Sequence, residues 1–233
     1  MTISMSASRL AWLFSRIAVL LVVAHIVLQS VRFWSGNDFL MGFLAAFALG
    51  AENNFPTYFS TFALFVCSAL LAAIAIGERR QGDGKPIYWI VLSAIFMFLS
   101  MDEMMSVHER LSEPVKGMIG ETDVFYYAWV LPYGVLLAIF VAVYYRFLNL
   151  LPRRTALLFL LSGALFVGGA IGFETLSGYY YSLSGSKGIT YVILQTLEEI
   201  LEITGTILFI YALAEYAEQR FGVIDFCLMP DKN

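Results

Sequence analysis

The sequence predicts an all-α fold, an integral membrane helical bundle of about six transmembrane helices, from its composition and its long apolar runs. Of its 233 residues, 60% are hydrophobic and only 14% are charged, whereas a soluble domain is about half apolar and about a quarter charged. The mean hydropathy is +0.76. So little polar surface cannot cover a core of this size, and lipid must therefore form part of the solvent.

The transmembrane segments follow from the need for about 20 mostly apolar residues per helix. Five runs satisfy this condition clearly, and a sixth is apolar but contains carboxylates. The predicted spans are about 10–31, 56–77, 87–107, 124–148, 154–177 and 190–217. Because no soluble segment separates them, residues 1–233 are interpreted as a single transmembrane helical domain. The apolar stretch Phe39–Leu49 is too short to span and suits a re-entrant or interfacial helix.

The orientation follows from the basic residues. Six spans place ten of the 14 Lys and Arg residues, Lys232 among them, on the side that carries both termini. Four basic residues lie on the other side: Arg32, Arg110, Lys116 and Lys187. Since Lys and Arg are enriched in cytoplasmic loops, both termini are predicted to be cytoplasmic, and the protein is predicted to be a multi-pass protein of the cell inner membrane.

Several classes of protein are excluded. A net charge of −4 provides no basic surface for nucleic acid. Cys67 and Cys227 are too far apart, and in contexts too different, for a disulfide framework or a cysteine metal motif. No nucleophile elbow, P-loop or dinucleotide fingerprint is present, and the catalytic residues and the substrate stay unknown.

Ionisable residues inside the predicted spans are the most unusual feature of the chain. At a helix centre each costs roughly 2.5–3.5 kcal/mol, so such residues are rare and usually face a partner or a cavity. With the rise of about 1.5 Å per residue, nearly all of them fall in the outer half of the bundle. They are His25, Asp102, Glu103, His108, Glu109, Glu174, Glu198, Glu199 and Glu202, joined by Glu52 from an outer loop.

These carboxylates cannot all stay ionised unaided, because like charges repel in a medium of low dielectric. Protonation, a nearby arginine or a bound cation could reduce this repulsion between carboxylates. Only Arg32 and Arg110 are obvious local basic partners. Oxygen ligands with imidazole suit a divalent metal, with Fe, Mn or Zn expected here. The predicted ligands are Asp102, Glu103, His108, Glu174, Glu198 and Glu202. Four further residues are predicted as second-shell or alternative ligands: Glu52, Glu199, Glu109 and His25.

Each residue also has a structural interpretation. Asp102 and Glu103 could cap or hydrogen-bond neighbouring helices, and His25 could be a satisfied packing histidine. Glu109 and Arg110 could be ordinary charged residues at the membrane–water interface. Glu198 and Glu202 are hardest to explain structurally, because they are four residues apart and share one face of an apolar helix.

Small residues recur in the fifth span. Ala164, Gly168 and Gly172 have the four-residue spacing that lets helix backbones approach closely. We expect tight packing inside the bundle, with a dimer seam as the alternative.

Three strings in the chain resemble a group of uncharacterised bacterial polytopic membrane proteins with six spans. They are Asp102–Glu103–x4–His108–Glu109, Glu52–Asn53–x2–Pro56 and Glu198–Glu199–x2–Glu202–x2–Gly205. The resemblance covers most of the chain and implies no activity.

The predicted site also resembles carboxylate-bridged di-metal bundles, in which four helices supply Glu and Glu-x-x-His pairs. The sequence departs from that pattern, because it has no Glu-x-x-His and only two histidines. With only two histidines, the chain also cannot be a histidine-rich membrane hydroxylase or a three-histidine membrane hydrolase.

Three functions therefore compete. The first is a metal-binding membrane protein, with an oxidoreductase or a hydrolase as its enzymatic alternatives. The second is a transporter or channel for protons or divalent cations, since intramembrane carboxylates mark such pathways. Two features of the sequence argue against transport: the inner half of the bundle lacks matching polar residues, and there is no inverted repeat. The third is a structural subunit of a membrane complex. Apart from the lipid bilayer, a membrane-protein partner or a second copy of the chain stays an open alternative.

Overall fold

The computed structural model describes residues 2–4, 6–82, 85–120, 122–222 and 225–227, and Lys232 lies outside them. The helices in chain order are α1 (Ala7–Ser35), α2 (Phe43–Phe47), α3 (Phe55–Gln81), α4 (Pro86–Met105), α5 (Val107–Ile119), α6 (Val130–Leu148), α7 (Arg153–Val167), α8 (Glu174–Ser184) and α9 (Ile189–Phe221). A 3₁₀ turn (Leu40–Gly42) precedes α2, and a π-helical turn (Gly168–Phe173) joins α7 to α8. Two short strands, β1 (Thr2–Ser4) and β2 (Asp225–Cys227), pair antiparallel.

Six helices are long and apolar enough to cross a membrane, as predicted: α1, α3, α4, α6, the continuous run Arg153–Ser184, and α9. Several boundaries differ; the fifth run, for example, continues to Ser184 rather than ending near residue 177. The fourth span begins at Val130 rather than near 124, because residues before it form turns. The third ends at Met105, and the chain continues as the separate helix α5. The stretch 39–49 folds into the 3₁₀ turn and the short helix α2.

Helix α9 is the centre of the bundle and packs against α1, α3 and α7. Its Gly205 allows the closest approach to α7, since a Cβ there would lie 2.7 Å from Phe166 N and 2.8 Å from Ser162 O. The expected tight packing inside the bundle is wrong for Gly168 and Gly172, because a Cβ at either position would have no neighbour within 4 Å. The π-helical turn changes the residue spacing there, so residues four apart no longer share a face.

Apolar side chains cover the outward faces of the bundle. Leu20 of α1 is 69% exposed and Val135 of α6 is 62% exposed. Exposure on this scale is unusual for a soluble protein, whereas lipid would cover these faces at no cost. Exposed apolar faces and six long apolar helices together indicate contact with a bilayer.

Both chain ends lie at the same end of the bundle. β1 pairs with β2, and the Ala7 backbone N–H donates a hydrogen bond to the Glu218 carboxylate. Nearby, buried Glu78 accepts hydrogen bonds from Tyr216 Oη at 2.7 Å and Arg220 Nε at 3.0 Å. This common position of the termini agrees with an even number of crossings.

Candidate metal centre

Three side chains that could hold a metal ion meet where the loop before α3 approaches the start of α5. Each offers one ligand atom, and the three atoms lie within 4.8 Å of one another in Glu52, His108 and Glu109. Glu52 and His108 are partly buried, whereas Glu109 is exposed. The cluster therefore reaches from the surface into the bundle, and its donors suit Mn, Fe or Zn.

The loop that carries Glu52 is fixed by Asn54. Its Oδ1 accepts a hydrogen bond from Thr57 N at 3.1 Å and so caps α3. Its Nδ2 donates to the carbonyl oxygens of Ala45 and Ala48 at 3.1 and 2.6 Å. Asn53 has a φ of 59°, a left-handed conformation that asparagine tolerates. Hydrogen bonds on both sides of Glu52 thus define the path of its backbone.

His25 supports the same loop and does not offer a ligand atom. Its Nδ1 accepts a hydrogen bond from Leu49 N at 3.0 Å, so the ring proton is on Nε2, which lies 3.0 Å from Thr196 Oγ1. His25 is 4% exposed. With both nitrogens engaged, this geometry supports the packing interpretation rather than the predicted alternative ligand. The ring connects α1 to α9 and to the loop.

His108 reaches the cluster because the third span breaks at Ser106. Ser106 has φ 49° and ψ 46°, a left-handed conformation that costs a residue with a Cβ roughly 1–2 kcal/mol. Such strain clusters at functional sites. The break makes His108 an electrostatic neighbour of Glu103, although residues five apart point in different directions on a straight helix.

Asp102 caps the new helix and orients the His108 ring. Its Oδ1 accepts a hydrogen bond from His108 N at 2.8 Å, and its Oδ2 lies 3.3 Å from His108 Nδ1. Tyr133 Oη donates to the same Oδ2 at 3.1 Å. Asp102 is 5% exposed. Both carboxylate oxygens are thus occupied, so the geometry supports the capping interpretation of Asp102 and not the predicted metal ligand.

The Trp129 ring, from the turn before α6, packs against His108. The Trp129 ring centroid lies 4.7 Å from that of His108 and 4.9 Å from that of Tyr133. Trp129 Nε1 donates a hydrogen bond to Glu174 Oε1 at 2.9 Å, and Trp129 is 4% exposed. One indole therefore joins the imidazole of α5 to the first residue of α8.

Five glutamates continue from the cluster into the bundle: Glu103, Glu174, Glu198, Glu199 and Glu202. Their charges act on one another and on Glu52. Ser177 Oγ lies 3.3 Å from Glu198 Oε2. Gly169 makes room for the deepest of them, because a Cβ at Gly169 would lie 2.7 Å from Glu202 Cγ. The predicted acidic residues of α4, α8 and α9 are thus electrostatic neighbours, whereas the ligand atoms found within 4.8 Å of one another in the described part of the chain are those of Glu52, His108 and Glu109.

Positive partners for these carboxylates are scarce. In the part of the chain that the structure describes, none of the five glutamates forms an ion pair, and the neighbouring Asp102 pairs with His108. Arg32, expected as a local partner, pairs instead with Asp38 at 2.6 Å. Arg110, the other expected partner, forms no ion pair with another described residue. The negative charge of the cluster is therefore not balanced by arginine.

Several carboxylate oxygens also lack hydrogen-bond donors. Glu52 Oε2 is buried, and no described group donates a hydrogen bond to it. Across the described ranges, no hydrogen bond reaches the carboxylates of Glu103, Glu199 or Glu202 either. Since buried polar groups are nearly always satisfied, the buried Glu52 Oε2 is available to a ligand.

Two groups outside the spans show the effect of this environment. Burial raises the pKa of Glu52, and the charge of Glu109 raises it further. For His108 burial favours the neutral ring, but the hydrogen bond with Asp102 and the surrounding carboxylates outweigh burial and raise its pKa to about 9. The metal-free cluster therefore keeps a proton on His108 near neutral pH.

The whole cluster lies at the end of the bundle opposite the chain termini. Its members come from the C-terminal end of α4, the start of α5, the start of α8, the N-terminal half of α9 and the loop before α3. The fold and the site together define the class, a multi-pass helical membrane protein with a carboxylate and histidine cluster at one end.

The family can be stated as well. The chain belongs to a family described as a domain of unknown function, DUF8692, whose model matches residues 15–216. No curated protein and no solved structure matches the chain.

Proposed function

We propose that this protein is an integral membrane protein that binds a divalent metal ion through Glu52, His108 and Glu109. The supporting observation is the buried, donor-less Oε2 of Glu52 within a cluster that includes a histidine oriented by a carboxylate. Metal-bound histidines commonly donate their second ring N–H to a carboxylate. Asp102 receives that bond from Nδ1, which leaves Nε2 of His108 for the metal. Fe, Mn or Zn suits this donor set.

The proposal extends to a metal-dependent membrane enzyme. Three protein ligands leave coordination positions for water or a substrate, which is typical of catalytic rather than structural sites. Glu109 is exposed, so this side of the cluster is open to the surroundings. Of the predicted ligands deeper in the bundle, Glu103 and Glu174 interact electrostatically with Glu52 and His108, and Glu198 and Glu202 interact with Glu174.

Metal analysis of the purified protein tests the proposal. We expect protein reconstituted with Fe, Mn or Zn and desalted to retain metal, and His108→Ala and Glu52→Gln to lose at least tenfold in affinity. Glu113→Gln is the matched control, because Glu113 lies on the same helix, is exposed and pairs with Lys116 at 3.4 Å. Folding is checked by monodisperse elution. Wild-type protein that retains none of the three metals would refute the proposal.

Cation transport is the competing function, and the packing beneath the glutamates supports it less. Between Glu202 and the terminal end of the bundle, α9 presents buried Phe209, Ile210 and Leu213 to a continuous apolar core. A cation path would have to cross this layer. Metal-dependent fluorescence quenching inside proteoliposomes measures transport directly, and uptake that Glu198→Gln abolishes would favour a transporter.

We further propose that the protein lies in a bacterial inner membrane with both termini in the cytoplasm. The distribution of Lys and Arg supports this orientation, as does the pairing of β1 with β2 at one end. The resemblance of its motifs to bacterial polytopic proteins supports the source. The metal cluster would then lie at the periplasmic end. A fluorescent-protein fusion to the C-terminus should fluoresce in cells, while an alkaline phosphatase fusion at the same place should be inactive.

A further inference from the structure

We propose that the start of α1 binds the headgroup of an anionic phospholipid, at the end of the bundle that carries both chain termini. Arg9 and Arg16 would bind the phosphate of the headgroup. Leu13 would contact an acyl chain, and Trp12 would lie at the boundary between headgroups and hydrocarbon. This lipid site is separate from the metal centre, which lies at the opposite end of the bundle.

An open groove on the outer face of α1 contains the residues of this site. It is lined by Ser8, Arg9, Trp12, Leu13 and Arg16. All five residues are exposed, whereas Phe14 and Ala18 on the other side of the helix are buried against the bundle. The groove therefore faces the surrounding lipid and not another helix of the described chain.

The length of α1 allows this groove to lie at the level of the headgroups. With 29 residues and a rise of about 1.5 Å per residue, α1 is about 43 Å long, which exceeds the thickness of about 30 Å of a hydrocarbon core. Tryptophan is enriched at the membrane–water interface, and Trp12 is 63% exposed. With Trp12 at that boundary, Arg9 lies among the headgroups and Leu13 beside the acyl chains.

Arg16 is oriented by Trp12 toward the same level. The guanidinium carbon of Arg16 lies 5.2 Å from the centroid of the Trp12 ring, within the range of a cation–π contact. Because Trp12 precedes Arg16 by about one helical turn, this contact directs the charge toward the start of α1. Basic side chains near helix ends commonly reach the interface in this way. Residues seven apart share one face of a helix, so the charges of Arg9 and Arg16 act on the same region.

The protein does not itself balance these two charges. Within the described ranges, neither Arg9 nor Arg16 forms an ion pair with a carboxylate. Glu218, at the start of α1, accepts its hydrogen bond from the Ala7 backbone N–H. Guanidinium groups bind phosphate through two parallel hydrogen bonds. A headgroup without an ammonium of its own, as in phosphatidylglycerol, complements two positive charges better than zwitterionic phosphatidylcholine does.

A second groove, at the start of α7, differs in this respect. It is lined by Arg153, Arg154, Leu157, Leu158 and Leu161. There Arg154 donates hydrogen bonds to both carboxylate oxygens of Glu215 at 3.0 Å, and one to Tyr211 Oη at 3.3 Å. Because Arg154 already has an anionic partner in the protein, the α1 groove is the one of the two in which both arginines are available to a lipid phosphate.

Native mass spectrometry with defined lipids tests the α1 site. The purified full-length protein in detergent is mixed with equal amounts of phosphatidylglycerol and phosphatidylcholine, and the two bound fractions are compared. We expect wild-type protein to prefer phosphatidylglycerol. Since each basic residue near an anionic surface contributes about fivefold to affinity, Arg9→Ala/Arg16→Ala should reduce this preference by about fivefold or more.

The matched control is Arg79→Ala/Arg80→Ala. It removes two positive charges from the same end of the bundle, but these exposed residues belong to the last turn of α3 and lie outside the α1 groove. The control should keep the wild-type preference. Monodisperse elution checks the folding of both double variants. If either one aggregates, the single variants Arg16→Gln and Arg80→Gln replace them in the same comparison.

The outcomes are distinct from those of the metal experiments. Equal binding of the two lipids by wild-type protein would overturn the lipid site, and so would a preference that the α1 variant retains. An equal loss in the α1 variant and the control would indicate a general effect of net charge and would also overturn it. None of these results depends on bound metal, so failure of the lipid site leaves the proposed metal-binding function unaffected.

Discussion

Asp102 binds His108 twice, through Oδ1 to the backbone N–H at 2.8 Å and through Oδ2 to the ring Nδ1 at 3.3 Å. The first contact begins α5 directly after the break at Ser106, and the second sets the direction of the imidazole. The same carboxylate therefore determines both where the histidine lies and which nitrogen it presents. A residue that the sequence suggests as a ligand is better explained as a positioning residue.

Asp102→Asn should weaken metal binding without abolishing it. The substitution removes the negative charge and replaces one of the two oxygens that face His108 by an amide NH₂ donor, and changes of this kind typically reduce metal affinity about 10- to 100-fold. Competition with a chelator of known affinity measures the change. Tyr133→Phe should have a smaller effect, because it removes only one hydrogen bond to Asp102. If Asp102→Asn lost metal as completely as His108→Ala, Asp102 would have to be a ligand.

Metal affinity should rise with pH up to about 9. The raised pKa of His108 means that a metal ion must displace a proton from the ring at neutral pH. Chelator competition at several pH values gives the slope. An affinity that is flat between pH 7 and 9 would show that His108 does not bind the metal.

The metal-free protein should respond to pH in the opposite direction. Because the folded pKa of His108 lies above its ordinary value of 6.5, its contribution to stability is fully present below about pH 6.5 and is lost as the pH rises through about 9. The melting temperature of metal-free protein should therefore fall across this window. His108→Gln isolates the effect, since the variant should lack this part of the decrease.

His25→Ala should destabilise the protein while the metal ligands stay in place. The substitution leaves the buried Leu49 N–H without an acceptor, and an unsatisfied group of this kind costs about 1–3 kcal/mol. We expect a lower melting temperature and an unchanged metal stoichiometry at saturating metal. Wild-type stability combined with lost metal would instead identify His25 as a ligand.

Gly205→Ala should destabilise the contact between α7 and α9. A methyl group there would meet backbone atoms of Phe166 and Ser162, which cannot move aside as the end of a side chain can, and overpacking of this kind typically costs about 1–3 kcal/mol. Gly163→Ala is the matched control, because its Cβ would have no neighbour within 4 Å. Thermal unfolding in detergent compares the two, and an equal melting temperature for both would contradict the close approach.

The sequence by itself determined the six helices and identified the acidic residues from which the candidate site is proposed. Length and apolarity suffice for the first, because a bilayer requires an uninterrupted apolar helix whatever its neighbours are. The cost of ionisable groups at membrane depth suffices for the second. Both arguments depend on local sequence, and so both could be made without knowing which helices touch.

Only the tertiary structure decided which of these residues contact one another. Hydropathy did not reveal the left-handed Ser106, which turns His108 toward Glu52, or the π-helical turn that places Gly169 against Glu202. Trp129 and Tyr133 carried no signal beyond that of interfacial aromatic residues, yet they contact Glu174 and Asp102. These roles depend on hydrogen bonds between residues distant in the chain. A one-dimensional pattern contains the donors and acceptors, but it does not contain their pairing.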